Sequence, residues 1–230
     1  MVEANVTAQI PSNIPVYVYL ILDESSSMEN VRLELIEGIN EYIDTLKKDV
    51  DVVYYVTLVK FSNQVTTVYA NKPLSEVEPL TTNTYAPNGM TALWDGIGIT
   101  VYRAKNELSG EYKSVVVVNT DGHENSSKEY KDTTKLKTLI SELEATGQWT
   151  FTYLGADMNA WGVAQQLGGT QANSFNYRKG ATRAMYSTVG QATSRMALAG
   201  AACMSDASFF KDEDRLLYAE EEAKDLSDKK

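Results

Sequence analysis

The sequence predicts an α/β protein: a three-layer α/β/α sandwich whose central sheet is mostly parallel, with one antiparallel edge strand. Three observations carry this expectation. Strand-like and helix-like segments alternate along the 230 residues, the pattern of parallel strands joined by helical crossovers. Two short runs, Val16–Leu22 and Val115–Val118, are apolar at consecutive positions, as strands buried on both faces must be. Each ends abruptly in polar residues, Asp23-Glu24-Ser25-Ser26-Ser27 and Asn119-Thr120-Asp121, where open α/β sheets place their ligands.

The elements follow in order. After the first strand, residues 29–48 carry Val31, Leu35, Ile36, Ile39, Tyr42, Ile43 and Leu46, mostly on one stripe at helical spacing. Residues 52–61 are β-rich. Ser62-Asn63-Gln64 then separates them from Val65–Tyr69, so the pair reads as a hairpin supplying the antiparallel edge. A Thr-, Asn-, Pro- and Gly-containing loop (81–90) precedes a helix expected from Ala92 to about Leu108. The strand through Val115–Asn119 follows, then a helix over Thr133–Thr146 stopped by Gly147, and a strand at Trp149–Leu154. A short helix over Asn159–Leu167 is closed by Gly168-Gly169, and Ser174–Tyr177 forms a last short strand. The Ala- and Met-rich stretch 181–204 suggests one more helix. Charge dominates beyond Lys211, so the end of the chain is expected to be frayed or partly helical. The organisation is therefore an N-terminal extension (1–13), a main domain (14–180), a C-terminal helix packing on or extending it (181–204) and an acidic tail (205–230).

The whole-chain balance narrows the function classes. The net charge is −10, which argues against a nucleic-acid footprint and against binding an anionic membrane surface. No stretch approaches the roughly 20 apolar residues of a membrane span. The first residues lack a basic segment followed by an apolar core. Cys203 is the only cysteine, so no internal disulfide can form, which suits a reducing compartment. A cytoplasmic location is the resulting expectation. Cys203 itself reads as a small helix-packing residue.

The strand ends carry the chemistry. Asp23, Ser25 and Ser27 stand at alternate positions past the first strand. Their carboxylate and two hydroxyls form an all-oxygen donor set, suited to a hard cation such as Mg²⁺ or Mn²⁺ rather than Zn²⁺. Thr91, in Asn88-Gly89-Met90-Thr91, opens a helix, and Asp121 ends the central strand. In a doubly wound sheet these five can meet. Two carboxylates and three hydroxyls leave an octahedral ion with an open position for water or an external anionic oxygen. The same residue types also serve as helix N-caps, and capping by Ser25, Ser27 or Thr91 is the alternative use of these groups.

On Asp23-Glu24-Ser25-Ser26-Ser27 (an Asp-x-Ser-x-Ser motif), Gly89-Met90-Thr91-Ala92-Leu93-Trp94-Asp95-Gly96-Ile97 and Thr120-Asp121-Gly122, residues 14–170 resemble the von Willebrand factor type A domain. The order and spacing of the segments agree with that family. The resemblance implies a Rossmann-like fold and a metal-ion-dependent adhesion site at Asp23, Ser25, Ser27, Thr91 and Asp121. It implies Mg²⁺ or Mn²⁺ held by the hydroxyls, with the carboxylates binding directly or through water. It also implies a protein partner whose Asp or Glu side chain completes the metal shell. Intracellular single-domain members of bacteria and their viruses often act as adaptors or assembly factors, and the chain is similar to these.

Enzyme readings are weaker. His123, the only histidine, stands two residues after Asp121, but the sequence has no Gly-x-Ser-x-Gly nucleophile elbow. Aspartyl phosphatases usually carry a second acid two residues after the first, where this chain has Ser25. No phosphate-binding loop of the Gly-Lys-Ser/Thr type occurs. A non-enzymatic binding module is expected, with a structural subunit of a larger assembly or a metal-dependent hydrolase as alternatives. Trp94 and Trp161 read as core rather than a ligand platform. Asp95 reads as serving the fold, and Asp157 as either a helix cap or a group near the ion.

Overall fold

A computed structural model describes residues 14–121, 123–156, 160–169, 173–199 and 208–228. The strands are β1 (Val16–Asp23), β2 (Tyr54–Phe61), β3 (Val65–Pro73), β4 (Lys113–Thr120), β5 (Trp149–Ala156) and β6 (Ser174–Tyr177). The helices are α1 (Arg32–Leu46), α2 (Leu93–Glu107), α3 (Thr134–Ala145), α4 (Ala160–Gln166), α5 (Thr182–Leu198) and α6 (Asp212–Asp228). The sheet order is β3-β2-β1-β4-β5-β6. Only β3 runs antiparallel, on the edge against β2. The hairpin between them closes through the Ser62 N–H to the Gln64 carbonyl, 3.0 Å.

The consecutive apolar residues of the inner strands are explained by two cores. Val16, Val18, Leu20 and Leu22 of β1, with Val115 and Val117 of β4, pack beneath α1 and α5. Tyr19 and Ile21, with Val116 and Val118, pack on the other side beneath α2, α3 and α4. Successive strand residues point to opposite faces, so a strand covered on both sides has no solvent face to make polar.

The helix expected over 29–48 begins differently. Residues Ser26–Val31 form a 3₁₀ segment, and α1 starts only at Arg32. The tighter winding buries Met28 and Val31 three residues apart, while the Ser26 N–H is held by the Gly89 carbonyl at 3.1 Å.

α5 lies along α1. A Cβ at Gly38 would stand 2.5 Å from Tyr186 Cδ2, and one at Gly190 2.9 Å from Thr45 Cγ2, so these two positions set how closely the helices approach. Tyr42 and Thr193 share a hydrogen bond across the same contact, 3.1 Å between hydroxyls. Residues of α5 such as Met185, Tyr186 and Val189 are buried in the α1-side core. The end of the chain is more ordered than its charge suggests. Phe209, Phe210 and Tyr218 are buried, and Phe175 of β6 meets Phe210 and Tyr218 edge-on at 5.0 Å each. Arg195 of α5 grips the buried Asp214 through two nitrogens at 2.8 and 2.7 Å. Three aromatics and one ion pair anchor a segment whose composition is otherwise that of a solvated tail. The N-terminal extension and Cys203 lie outside the described residues.

Two predictions follow from this packing. Gly38→Ala should destabilise the protein by about 1–3 kcal/mol, the usual cost of overpacking a filled interface; an unchanged thermal midpoint would show that the α1–α5 contact has slack. Glu144, on α3, is pushed up by burial from 4.5 to about 7. The native state therefore keeps a proton that the unfolded chain releases, and stability falls as pH rises from about 4.5 through 7. Glu144→Gln should gain stability over the parent above pH 7 and match it near pH 4, in denaturant titrations at the two pH values. Equal effects at both would refute the assignment.

Candidate metal centre

β1 and β4 are neighbours in the sheet, yet the chain leaves β1 toward β2 on one side and returns to β4 on the other. Their C-terminal ends therefore flank the point where the strand order reverses, the crevice open α/β sheets use for ligands. Leu22 pairs with Asn119, which puts Asp23 beside Thr120 and Asp121 just beyond.

Asp23 is fully buried. Its Oδ1 accepts the Ser25 N–H at 2.7 Å, and its Oδ2 accepts the Thr120 hydroxyl at 2.5 Å. The Tyr85 hydroxyl donates to its backbone carbonyl. Burial raises the Asp23 carboxyl to about 6. The hydrogen bonds from Thr120 and Ser25 oppose that rise, and the Asp121 charge adds to it.

The serines extend the set outward. Ser25 Oγ and Ser27 Oγ are 3.1 Å apart, and the Ser27 hydroxyl donates to Asp121 Oδ1 at 2.6 Å. The other Asp121 oxygen, Oδ2, lies 3.3 Å from Lys179 Nζ. Capping does not account for these hydroxyls. Ser25 is the N-cap of the 3₁₀ segment but makes no side-chain cap bond, and α2 starts after Ala92 likewise without one.

Thr91 arrives on a loop fastened to the same strand end. The Asn88 N–H donates to the Glu24 carbonyl at 2.8 Å, and the Gly89 N–H to Ser26 Oγ at 2.9 Å. Gly89 has φ +85°, and a Cβ there would lie 2.7 Å from Asn63 Oδ1, so both backbone and space require glycine. Thr91 is buried. Its N–H is held by Asn125 Oδ1 at 2.8 Å, and its carbonyl accepts the Asn125 N–H at 3.0 Å. Ser25, Ser27 and Asp121 are thus in one hydrogen-bonded chain, with Asp23 bonded to its inner end. Thr91 is outside that chain: its backbone is held by Asn125 and Ser126, and among the described residues its hydroxyl makes no hydrogen bond to the other four.

Several supporting residues escaped sequence reasoning. Glu24, inside the Asp-x-Ser-x-Ser segment, pairs with Lys60 at 2.7 Å and accepts the Ala86 N–H at 2.7 Å. Glu124 accepts the Trp94 N–H at 2.9 Å, the Ser126 and Ser127 N–H groups at 2.8 and 2.6 Å and the Ser127 hydroxyl at 2.6 Å. Asp95, expected to serve the fold, accepts the N–H groups of Lys128, Glu129 and Tyr130 at 2.8–3.0 Å. Together Glu124 and Asp95 hold the loop after β4 against the start of α2. Only the Glu-Asn-Ser-Ser composition of residues 124–127 hints at this, since the partners are about 30 residues away. Trp94 is buried in the α2-side core, and Trp161 packs against it partly buried. His123 is exposed. Gly122 and Asp157 lie outside the described residues.

The donor set fits a hard divalent cation. No group of three or more His, Cys, Asp or Glu side chains suited to a metal occurs among the described residues. Here two carboxylates come with three hydroxyls that no cap consumes. The two Asp23 oxygens, which accept the Ser25 N–H and the Thr120 hydroxyl, have about four lone-pair sites between them and so keep capacity for an ion, directly or through water.

The likenesses to known proteins bear on the fold. No curated protein matches the chain in sequence. Among solved structures, proximal thread matrix protein 1 of the mussel byssus is 16% identical, with a TM-score of 0.53, over 80% of this chain and 46% of its own. This chain thus spans under half of that protein's length. A further form of it, with zinc in its metal-ion-dependent adhesion site (MIDAS), is 17% identical with a TM-score of 0.54, over 81% and 46% of the two chains. The corresponding domain of the type V pilus tip protein Mfa5 from Porphyromonas gingivalis is 11% identical, with a TM-score of 0.58, over 82% of this chain and 98% of its own. At such identities the structures attest the fold. The family profile named von Willebrand factor type A domain matches residues 18–193, about three quarters of the sequence, and the chain belongs to that family.

Proposed function

We propose that the protein is a divalent-cation-dependent protein-binding module and not an enzyme. Asp23, Ser25, Ser27, Thr91 and Asp121 would hold Mg²⁺ or Mn²⁺, which when bound offers an open position to a partner's Asp or Glu carboxylate. The observation that carries the reading is the chain of hydroxyls from Ser25 through Ser27 to Asp121, left unused by helix capping, at the strand-order reversal. A bound dication would also offset the cost of burying the Asp23 charge.

The zinc in the MIDAS motif of the mussel protein supports occupancy of such a site by a divalent ion. The all-oxygen donors here favour Mg²⁺ or Mn²⁺. A protein partner is supported by likeness to a pilus tip protein and a pilus adhesin. Net charge −10 disfavours nucleic acid and anionic lipid, and no helix among the described residues is long and apolar enough to cross a membrane. The non-enzymatic reading rests on the serine hydroxyls, which bond each other and Asp121 rather than His123. An adaptor or assembly role, in a reducing setting suited to a lone cysteine, is the corresponding cellular proposal.

Calorimetric titration of metal-stripped protein should give one Mn²⁺ site, weakened about 100-fold or more in Asp121→Ala with the thermal midpoint little changed. A glutamate-bearing peptide should then bind only in the presence of Mn²⁺, and its glutamine counterpart should not. Unchanged metal affinity in the variant would overturn the site.

A further inference from the structure

We propose that Lys179 is a resident counter-cation of the metal centre, which holds the affinity for a divalent ion down; the inference rests on the cation-site reading above. Its ammonium stands 3.3 Å from Asp121 Oδ2, with the Asp121 side chain 2% exposed and the Lys179 side chain 38% exposed. Ser27 occupies the other Asp121 oxygen, so both oxygens of this outer carboxylate are engaged by groups of the chain itself.

The backbone under Lys179 is fixed from two sides. The Gly180 N–H donates to Glu34 Oε2 of α1 at 2.8 Å, and the Thr182 hydroxyl donates to the same oxygen at 3.1 Å. The Arg178 N–H donates to the Tyr218 hydroxyl of α6 at 3.2 Å, and Arg178 also faces Glu222 at 3.6 Å. The turn is therefore a mount between α1 and α6, and the lysine reaches the site along its flexible stem. Such a stem can swing aside, taking a strongly hydrated charge back to water.

Two consequences follow for a dication at this site. Asp121 must exchange its contact with the ammonium for the ion, and an ammonium that stays nearby repels the ion in a partly dehydrated place, where charges act more strongly than in bulk water. Both lower affinity. The lysine's charge faces the carboxylate of Asp121, which the Ser27 hydroxyl links to the rest of the centre, so its field reaches the proposed ion position.

The test is calorimetric titration with Mn²⁺ of the metal-stripped full chain, as wild type, Lys179→Met and Lys179→Arg. Lys179→Met keeps the apolar stem and removes the charge. It should bind Mn²⁺ about tenfold more tightly at low salt, with a narrower gap in 0.5 M NaCl because the residue is partly exposed. Lys179→Arg should stay close to wild type. Lys179→Gln serves as a second neutral variant, and circular dichroism confirms that each protein is folded. Equal or weaker Mn²⁺ binding by both neutral variants, with wild type binding normally, overturns this inference alone. Absence of Mn²⁺ binding in every protein overturns the cation-site reading together with it.

Discussion

A carboxylate buried at the end of a central strand is the constraint on which the upper end of this molecule depends. Asp23 has no exposed surface, so each of its oxygens needs a partner within the fold. Thr120 supplies one from the neighbouring strand, and the Ser25 N–H supplies the other from the turn that follows. These bonds join the ends of β1 and β4 and bend the chain after β1 so that Ser25 and Ser27 line up toward Asp121. The 3₁₀ segment, the Gly89 turn and the Asn125 clamp on Thr91 are fitted around that arrangement.

The two-sided core makes the arrangement rigid. Because β1 and β4 are packed on both faces, their ends give a fixed base, to which the turn carrying Ser25 and Ser27 and the loop carrying Thr91 are fastened by hydrogen bonds. Glu124 and Asp95 extend this to α2, their side-chain oxygens accepting several backbone N–H groups at once. Without a ligand the centre holds two carboxylates, Asp23 and Asp121, against the single ammonium of Lys179 on Asp121, a formal surplus of one negative charge that a divalent ion would turn into a surplus of one positive charge. The partner carboxylate proposed above would complement that surplus.

Much of this could be read from the residues in order. Consecutive apolar positions in Val16–Leu22 and Val115–Val118 identify strands covered on both faces, and the polar residues after them mark the functional end of the sheet. The spacing of Ile36, Ile39 and Ile43 outlines α1. What could not be read depends on pairs far apart in the chain. Nothing local to Lys179 announces Asp121, 58 positions earlier, and Glu124 looks like any solvated acid until Trp94 is beside it. The tail misleads for a different reason: Phe209, Phe210 and Tyr218 are too few to shift its composition, yet β6 and α5 offer them a place to bury. The 3₁₀ start of α1 is a tertiary effect, set by the anchoring of Ser26 to the Gly89 loop.

The central claim is that these strand-end oxygens form one cation site. The most direct measurement is a crystal structure of the Mn²⁺-soaked protein with anomalous scattering recorded for manganese. The account predicts a single strong peak among Asp23, Ser25, Ser27, Thr91 and Asp121, with hydroxyl oxygens about 2.1–2.2 Å away and the Ser27–Asp121 hydrogen bond rearranged to admit the ion. A peak elsewhere, or none at these residues with that hydrogen bond intact, would contradict it.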